Sequence, residues 1–239
     1  MILPTRKAYF PVADWPVAES WEEAATVLAF YAKHVAAQSP GRPSLVLKAS
    51  GGESPLSKSC GPFEWLTTIL CYRFCFPDDQ RQSCHEINSS QSLSMVDVAI
   101  DEAATLLEVI SRDSQDCPEL QSMMSWKARL TDYRDSEESD FLGLRQLIVD
   151  GEPIGVVVWR ESKSTNEVEL KYLGITPEKR HLGWGTQFLK QMLSELEDRG
   201  YDSLFLQVDF RNVVAVELYE KCGFEQWGRQ ELWMATVDE

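Results

Sequence analysis

No apolar run in this sequence approaches the roughly 20 residues needed to span a bilayer. Its start, Met1-Ile2-Leu3-Pro4-Thr5-Arg6-Lys7, lacks the charged-then-apolar order of a signal peptide. A cytoplasmic protein with no membrane partner is therefore expected. Basic charge is scarce: 23 lysines and arginines face 38 acids, for a net charge of −15. Such a field opposes binding to nucleic-acid phosphates, so no nucleic-acid partner is expected. Among six cysteines there is no Cys-x-x-Cys pair. The one cluster, Cys71-x-x-x-Cys75 followed by Cys84-His85, could be thiols in an apolar strand or a zinc site. Leu70, Tyr72, Phe74 and Phe76 around it favour the strand, and no metal is expected. Without a secretory signal, disulfides are not expected. Two phosphate-binding loops are also missing. Gly183-Trp184-Gly185 has no third glycine in register for a dinucleotide fingerprint, and Gly185-Thr186-Gln187 lacks the Gly-Lys-Ser/Thr ending of a Walker loop.

What is present is a globular composition, 44% apolar, long enough for one large domain or two modest ones. The charge is uneven. Residues 1–95 carry nine acids and eight bases, whereas 96–239 carry twenty-nine and fifteen. An acidic second part suits a cationic acceptor such as an amine, and equally suits simple solubility. The serine-rich joint from Ser89 to Ser94 divides the chain into an N-terminal segment, 1–95, and a domain at 96–239.

In the first part, Ser20 with Glu23 forms a capping box ahead of a predicted helix from Trp21 to Ala37. Ser44 to Ala49 and Phe63 to Phe76 are β-prone. From Val96 the periodicity turns helical, with Ile100, Ala103, Ala104, Leu107 and Ile110 on one face. Pro118 sits in a predicted loop. A second helix is predicted over Met123 to Tyr133, followed by a solvated acidic loop from Asp135 to Asp140. Leu144 to Val149 and Ile154 to Arg160 flank Asp150-Gly151, a firm hairpin signal. A third strand covers 168–175. Then come a helix over 186–199 with Phe188, Leu189, Met192, Leu193 and Leu196 spaced for one face, a strand from Ser203 to Asp209, and a helix from Asn212 to Cys222 with Asn212 as N-cap and Gly223 at the αL position. A final hairpin over Phe224 to Trp227 and Gln230 to Thr236 closes the chain.

The stretch Arg180-His181-Leu182-Gly183-Trp184-Gly185-Thr186 joins the end of a strand to the start of a helix. The first N–H groups of a helix have no internal partner and carry partial positive charge, so this turn is either a ready anion site or a plain strand–helix connection. Arg-x-x-Gly-x-Gly after a strand ending in Thr176-Pro177-Glu178 resembles the acetyl-coenzyme A loop of the GNAT superfamily of N-acetyltransferases. The stretch from Asn212 to Phe224 is similar to the N-x-x-A-x-x-L-Y-x-x-x-G-F helix of that family. The element order over about residues 96–239 is also that of the GNAT fold after its first strand. Asp116-Cys117-Pro118-Glu119-Leu120 resembles a subgroup of bacterial members, while residues 1–95 are not covered. The implied fold class is α/β (α+β), a mixed, mostly antiparallel sheet flanked by helices, with a smaller N-terminal α/β segment that could be a degenerate half of a tandem.

The resemblance implies acetyl-CoA as cosubstrate, transferring acetyl by direct attack of a primary amine on a small molecule, peptide or protein. It implies that the amides across Arg180 to Thr186 hold the pyrophosphate, with Arg180 adding charge or pointing to solvent. His181-Leu182 stands where many relatives have a glycine and a basic residue, which stiffens the turn. Main-chain groups of Leu173, Gly174 and Ile175 would bind the pantetheine arm where the fourth strand splays from the fifth, with Gly174 supplying a bulge. Asn212 would be both cap and coenzyme contact, or a cap alone. Glu169 is the candidate base, or a surface residue paired with Lys171; Glu167 is a weaker one, and a water chain is the family's other solution. Tyr219 is the candidate acid for the leaving thiolate, or a packing aromatic. The alternative function is a non-catalytic acyl-CoA-binding or regulatory module. The acceptor and the oligomeric state are left open.

Overall fold

The computed structural model describes residues 8–11, 44–50, 59–60, 63–77, 93–121, 124–135, 141–162 and 164–236. In chain order these form β1 (Ala8–Pro11), β2 (Ser44–Ser50), β3 (Ser59–Cys60), β4 (Phe63–Cys75), β5 (Leu93–Asp97), α1 (Ile100–Ile110), α2 (Pro118–Gln121) and α3 (Trp126–Asp135). Then follow β6 (Phe141–Val149), β7 (Glu152–Ser162), β8 (Glu167–Ile175), a 3-10 turn at Pro177–Lys179, α4 (Trp184–Asp198), β9 (Ser203–Asp209), α5 (Val213–Lys221) and β10 (Glu225–Thr236). The chain divides into two compact units, Met1–Leu70 with Gly228–Glu239, and Cys71–Trp227. The division falls inside β4 and inside β10. The 1–95/96–239 boundary rests on sequence alone, and most of its serine-rich joint lies outside the described residues. So do the predicted helix at 21–37 and Cys84-His85.

In the larger unit β5, β6, β7 and β8 are antiparallel neighbours in that order, and β9 joins β8 in parallel. This is the mixed, mostly antiparallel sheet flanked by helices that the family resemblance implied. β7 is central, buried from Ile154 through Glu161. Both its faces are covered, so it reads as a continuous apolar run rather than an alternating one. On one side Val156 and Val158 pack against Ala103, Leu107 and Ile110 of α1 and Trp126 and Leu130 of α3. On the other, α4 contributes Phe188, Leu189, Met192, Leu193 and Leu196, the face its spacing foretold. The β6–β7 turn carries positive φ at Asp150 (52°) and Gly151 (83°), the primed-turn geometry that matches strand twist.

In the smaller unit β1 pairs in parallel with β2, β2 pairs antiparallel with β10, and β3 pairs with β4. The Glu231 carboxylate accepts hydrogen bonds from Trp65 Nε1 and Thr68 Oγ1.

Three local expectations are corrected. Leu93–Asp97, expected to be a joint running into a helix, is an edge strand on Val149–Arg145 of β6. Its residues do not alternate cleanly, and only the partner strand fixes them. Pro118 opens a one-turn helix instead of lying in a loop, because its missing N–H costs nothing at a helix start. The final hairpin is one unbroken strand, β10, whose 230–236 portion is held by β2. A lone Gly228 is too weak a turn signal to overcome that distant pairing. Of the clustered thiols, Cys71 is buried and Cys75 exposed. Among the described residues no group of three metal-ligating side chains forms, and no helix is long and apolar enough to cross a membrane.

Candidate active site at the opening of the sheet

The β8–β9 ladder is short. It pairs Glu167 with Ser203 and runs to Leu170 with Leu206. Beyond that point β8 continues to Ile175 against β7 alone, while β9 continues to Asp209. Among the described residues the main chain from Lys171 to Ile175 thus has no ladder partner on β9, and the pair of strands opens there. A register shift opposite Val158/Trp159 passes over Lys171, so the bulge lies there and not at Gly174. Such an extra residue bends the strand away from its neighbour. Gly174 instead pairs with Val156 in register, and its missing Cβ admits the end of α1. A Cβ there would lie 2.4 Å from Ile110 Cγ2 and 2.6 Å from Tyr172 Cε1.

Past β8 the chain turns through Pro177–Lys179 into the glycine loop. His181 (φ 61°) and Gly183 (φ 82°) both take left-handed backbone, and residues 181–183 are exposed. His181 therefore occupies a conformation that glycine adopts without strain. Gly183 is the N-cap of α4 and offers no side-chain acceptor. The first turn closes with Gln187 N–H on Gly183 O at 3.2 Å, leaving the amides of Trp184, Gly185 and Thr186 without intrahelical partners. Open space surrounds Gly183 where a Cβ would stand. Leu182 is 62% exposed, whereas the Trp184 indole is buried. Arg180 does not project to solvent. Its Nη2 donates to Ile110 O at 2.7 Å and its Nε to Ile175 O at 3.2 Å, tying the end of α1 to the end of β8.

α5 closes the far side. Asn212 caps it by accepting the Ala215 N–H at 3.4 Å. Leu218 faces the first turn of α4, 3.5 Å from where a Gly185 Cβ would be. Tyr219 is buried, its ring 5.6 Å from that of Phe224. Burial first, then the nearby Asp116 carboxylate, Tyr172 and Cys222, push its hydroxyl well above the ordinary phenol value. Glu169 is drawn into an ion pair with Lys171, whose ammonium also lies 5.5 Å from the Tyr133 ring centre.

The sequence reading missed a bracket between the loop after α1 and the end of β9. Asp209 N donates to Asp116 Oδ1 at 2.9 Å, and Cys117 N donates back to Asp209 Oδ2 at 3.2 Å. Arg211 holds Asp209 (Nη2–Oδ2 2.6 Å) and forks onto Glu119 (2.7 and 2.9 Å). Asp209 is fully buried. Burial, countered by the Asp209 amide, raises the Asp116 carboxyl, while the Arg211 hydrogen bonds lower that of Glu119. Burial also raises the Cys117 thiol, so it is not a thiolate nucleophile. Tyr172, on β8 just past the ladder's end, stacks edge-on to Trp126 at 4.6 Å and is raised by burial and by Asp116. Asp-x-Arg before the Asn212 cap was the available signal, but alternation along β9 gave no hint that Asp209 is buried.

The Acetyltransferase (GNAT) family matches residues 107–224. A mycothiol acetyltransferase from Stackebrandtia nassauensis is 32% identical over 128 residues, covering 51% of this chain and 40% of that protein. The ribosomal protein bS18-alanine N-acetyltransferase of Escherichia coli is 32% identical over 73 residues, covering 30% of this chain and 49% of its own length. The chain thus spans less than half the length of these curated relatives. In fold it is similar to a GCN5-related N-acetyltransferase from Sphaerobacter thermophilus (TM-score 0.61, 15% identity, 90% of this chain and 69% of that one). It is also similar to a tandem GNAT protein from the clavulanic acid biosynthesis pathway (TM-score 0.61, 12% identity, 99% and 77%).

Proposed function

Because the chain belongs to the GNAT superfamily over residues 107–224, we propose that it is an acetyl-CoA-dependent N-acetyltransferase acting on a primary amine. The observation that carries this is the conjunction of two main-chain surfaces without a partner among the described residues, the uncapped first turn of α4 and the β8 edge beyond Leu170. A pyrophosphate fits the first, since three amides and the positive end of the helix converge beside exposed residues 181–183. An extended pantetheine arm fits the second as an added strand, and an amide of Leu173 to Ile175 can donate to the oxyanion as the amine attacks. Tyr219 keeps its proton to high pH and serves as the acid for the departing thiolate. Asn212 serves as the α5 cap beside the coenzyme. Arg180 acts by fixing β8 and α1, and its guanidinium, already engaged by two carbonyls, contributes only distant charge. The relatives named above are, by name, an acetyltransferase of mycothiol and one that acts on alanine of ribosomal protein bS18. For this chain the acceptor is an amine of small-molecule, peptide or protein origin.

Calorimetry with coenzyme A and acetyl-CoA tests the reading. Micromolar binding by the full chain is expected, and Gly183→Val should abolish it, since a β-branched residue at φ 82° is strained and its side chain fills the space over the amides. Absence of binding by the wild type sinks the proposal. Binding without thiol release across an amine panel points instead to an acyl-CoA-binding module.

A further inference from the structure

We propose that Asp116 is the carboxylate that seats and deprotonates the acceptor's ammonium group at the β8–β9 opening. The inference deepens the acetyltransferase reading and rests on it. Asp209 is the last residue of β9, three positions past the final paired residue, Leu206. Its amide grips Asp116 Oδ1 at 2.9 Å, which fixes Asp116 at the open end of that strand. Among the described residues Oδ2 takes no hydrogen bond. The Asp116 charge also reaches Tyr172 of β8 and Tyr219 of α5 and raises both hydroxyls. Glu169, by contrast, already spends its carboxylate on Lys171.

The groups around Asp116 are Asp209 and Arg211 at the end of β9, Arg129 of α3, Tyr172, Tyr219 and its neighbour Cys117. The two arginines are otherwise engaged, Arg211 by Asp209 and Glu119 and Arg129 by Leu120 O and the Trp126 ring. A carboxylate with one oxygen anchored and one open, in a partly desolvated wall, binds an alkylammonium by a charge-assisted hydrogen bond. Oδ2 then takes one N–H proton from the ammonium, and the freed lone pair bonds to the thioester carbonyl carbon. The C–S bond breaks with its electron pair remaining on sulfur. Tyr219 gives its proton to that sulfur and recovers one from the nitrogen, while Asp116 returns its proton to water. The sum is ammonium plus thioester giving amide, thiol and one proton.

The test needs no knowledge of the acceptor. S-(2-aminoethyl)-coenzyme A carries an ammonium next to the sulfur, and S-propyl-coenzyme A is its neutral isostere. Calorimetry on the full chain should show the amine analogue binding about tenfold tighter or more. Asp116→Asn, whose Oδ1 can still accept the Asp209 amide, should erase that preference and leave S-propyl-coenzyme A affinity unchanged; Glu169→Gln should keep it. In the wild type the ratio of affinities should collapse as pH falls, beginning above the ordinary aspartate value of about 4. This second readout decides the matter if the variant does not fold. Equal affinities in the wild type, or a preference that survives in Asp116→Asn, overturns the proposal. Failure of the wild type to bind S-propyl-coenzyme A overturns the acetyltransferase reading beneath it.

Discussion

Tyr219 shows how burial keeps a phenol protonated, as the proposed acid must be. With 7% of its surface exposed and a carboxylate nearby, its hydroxyl is held above the usual value near 10. It therefore stays protonated at every pH at which the enzyme would work, and any alkaline loss of rate due to it lies above about pH 10. Tyr219→Phe should lower kcat about a hundredfold while leaving the acetyl-CoA dissociation constant unchanged. An unaltered kcat would make the ring a packing element against Phe224. Gly174 makes a different kind of prediction. Alanine there drives a methyl into Ile110 and Tyr172, both held by the core cluster around Trp126. A loss of about 1–3 kcal/mol is expected, read as a lower melting temperature. Retained stability would mean that α1 can retreat from the strand.

Among the elements, β7 is fastened to the turn between α4 and β9 through one buried carboxylate. Glu161 accepts from Trp159 Nε1 at 2.8 Å and from Arg199 and Tyr201. Burial, the largest influence, pushes Glu161 up, yet these donors together leave it below the ordinary glutamate value. A lowered folded value contributes stability above the unfolded value of about 4.3, and that contribution fades as pH falls through the folded one. Glu161→Gln should cost about 1–3 kcal/mol at pH 7 and less below pH 4, so the denaturation midpoints of variant and wild type should converge in acid. Parallel curves at all pH values would show that the charge is not what fastens the turn. This fastening lies at the paired end of β8–β9, so one end of the ladder is fixed while the other opens.

For the whole molecule the dominant physical quantity is the net charge of −15. It attracts cations over the screening length, which shrinks from about 30 Å at 0.01 M salt to about 10 Å at 0.1 M. The kcat/KM for a cationic amine should therefore fall as salt is raised over that range, while coenzyme A, itself an anion, should bind no more weakly. Equal salt dependence for both substrates would assign the acidity to solubility alone.

The local pattern carried much of the fold. Asp150-Gly151 predicted the β6–β7 turn, the apolar stripe from Phe188 to Leu196 predicted α4, and Asn212 predicted the α5 cap, because each depends on neighbours within a few residues. Where partners are distant, the pattern was silent or misleading. β5 and the unbroken β10 exist through strands far away in sequence, and the bulge fell on Lys171 because packing of α1 keeps Gly174 in register. Arg180 was drawn to Ile110 O across seventy positions. Asp116 and Asp209 meet across ninety-three, where neither period nor composition can pair two like charges. Sequence alone determined the elements that depend on near neighbours, such as the β6–β7 hairpin, α4 and α5, and where a glycine turn precedes a helix, since these follow from short-range sterics and hydrogen bonding. Only the tertiary structure decided where the β8–β9 ladder ends and which carboxylate is left open there, because both depend on long-range contacts.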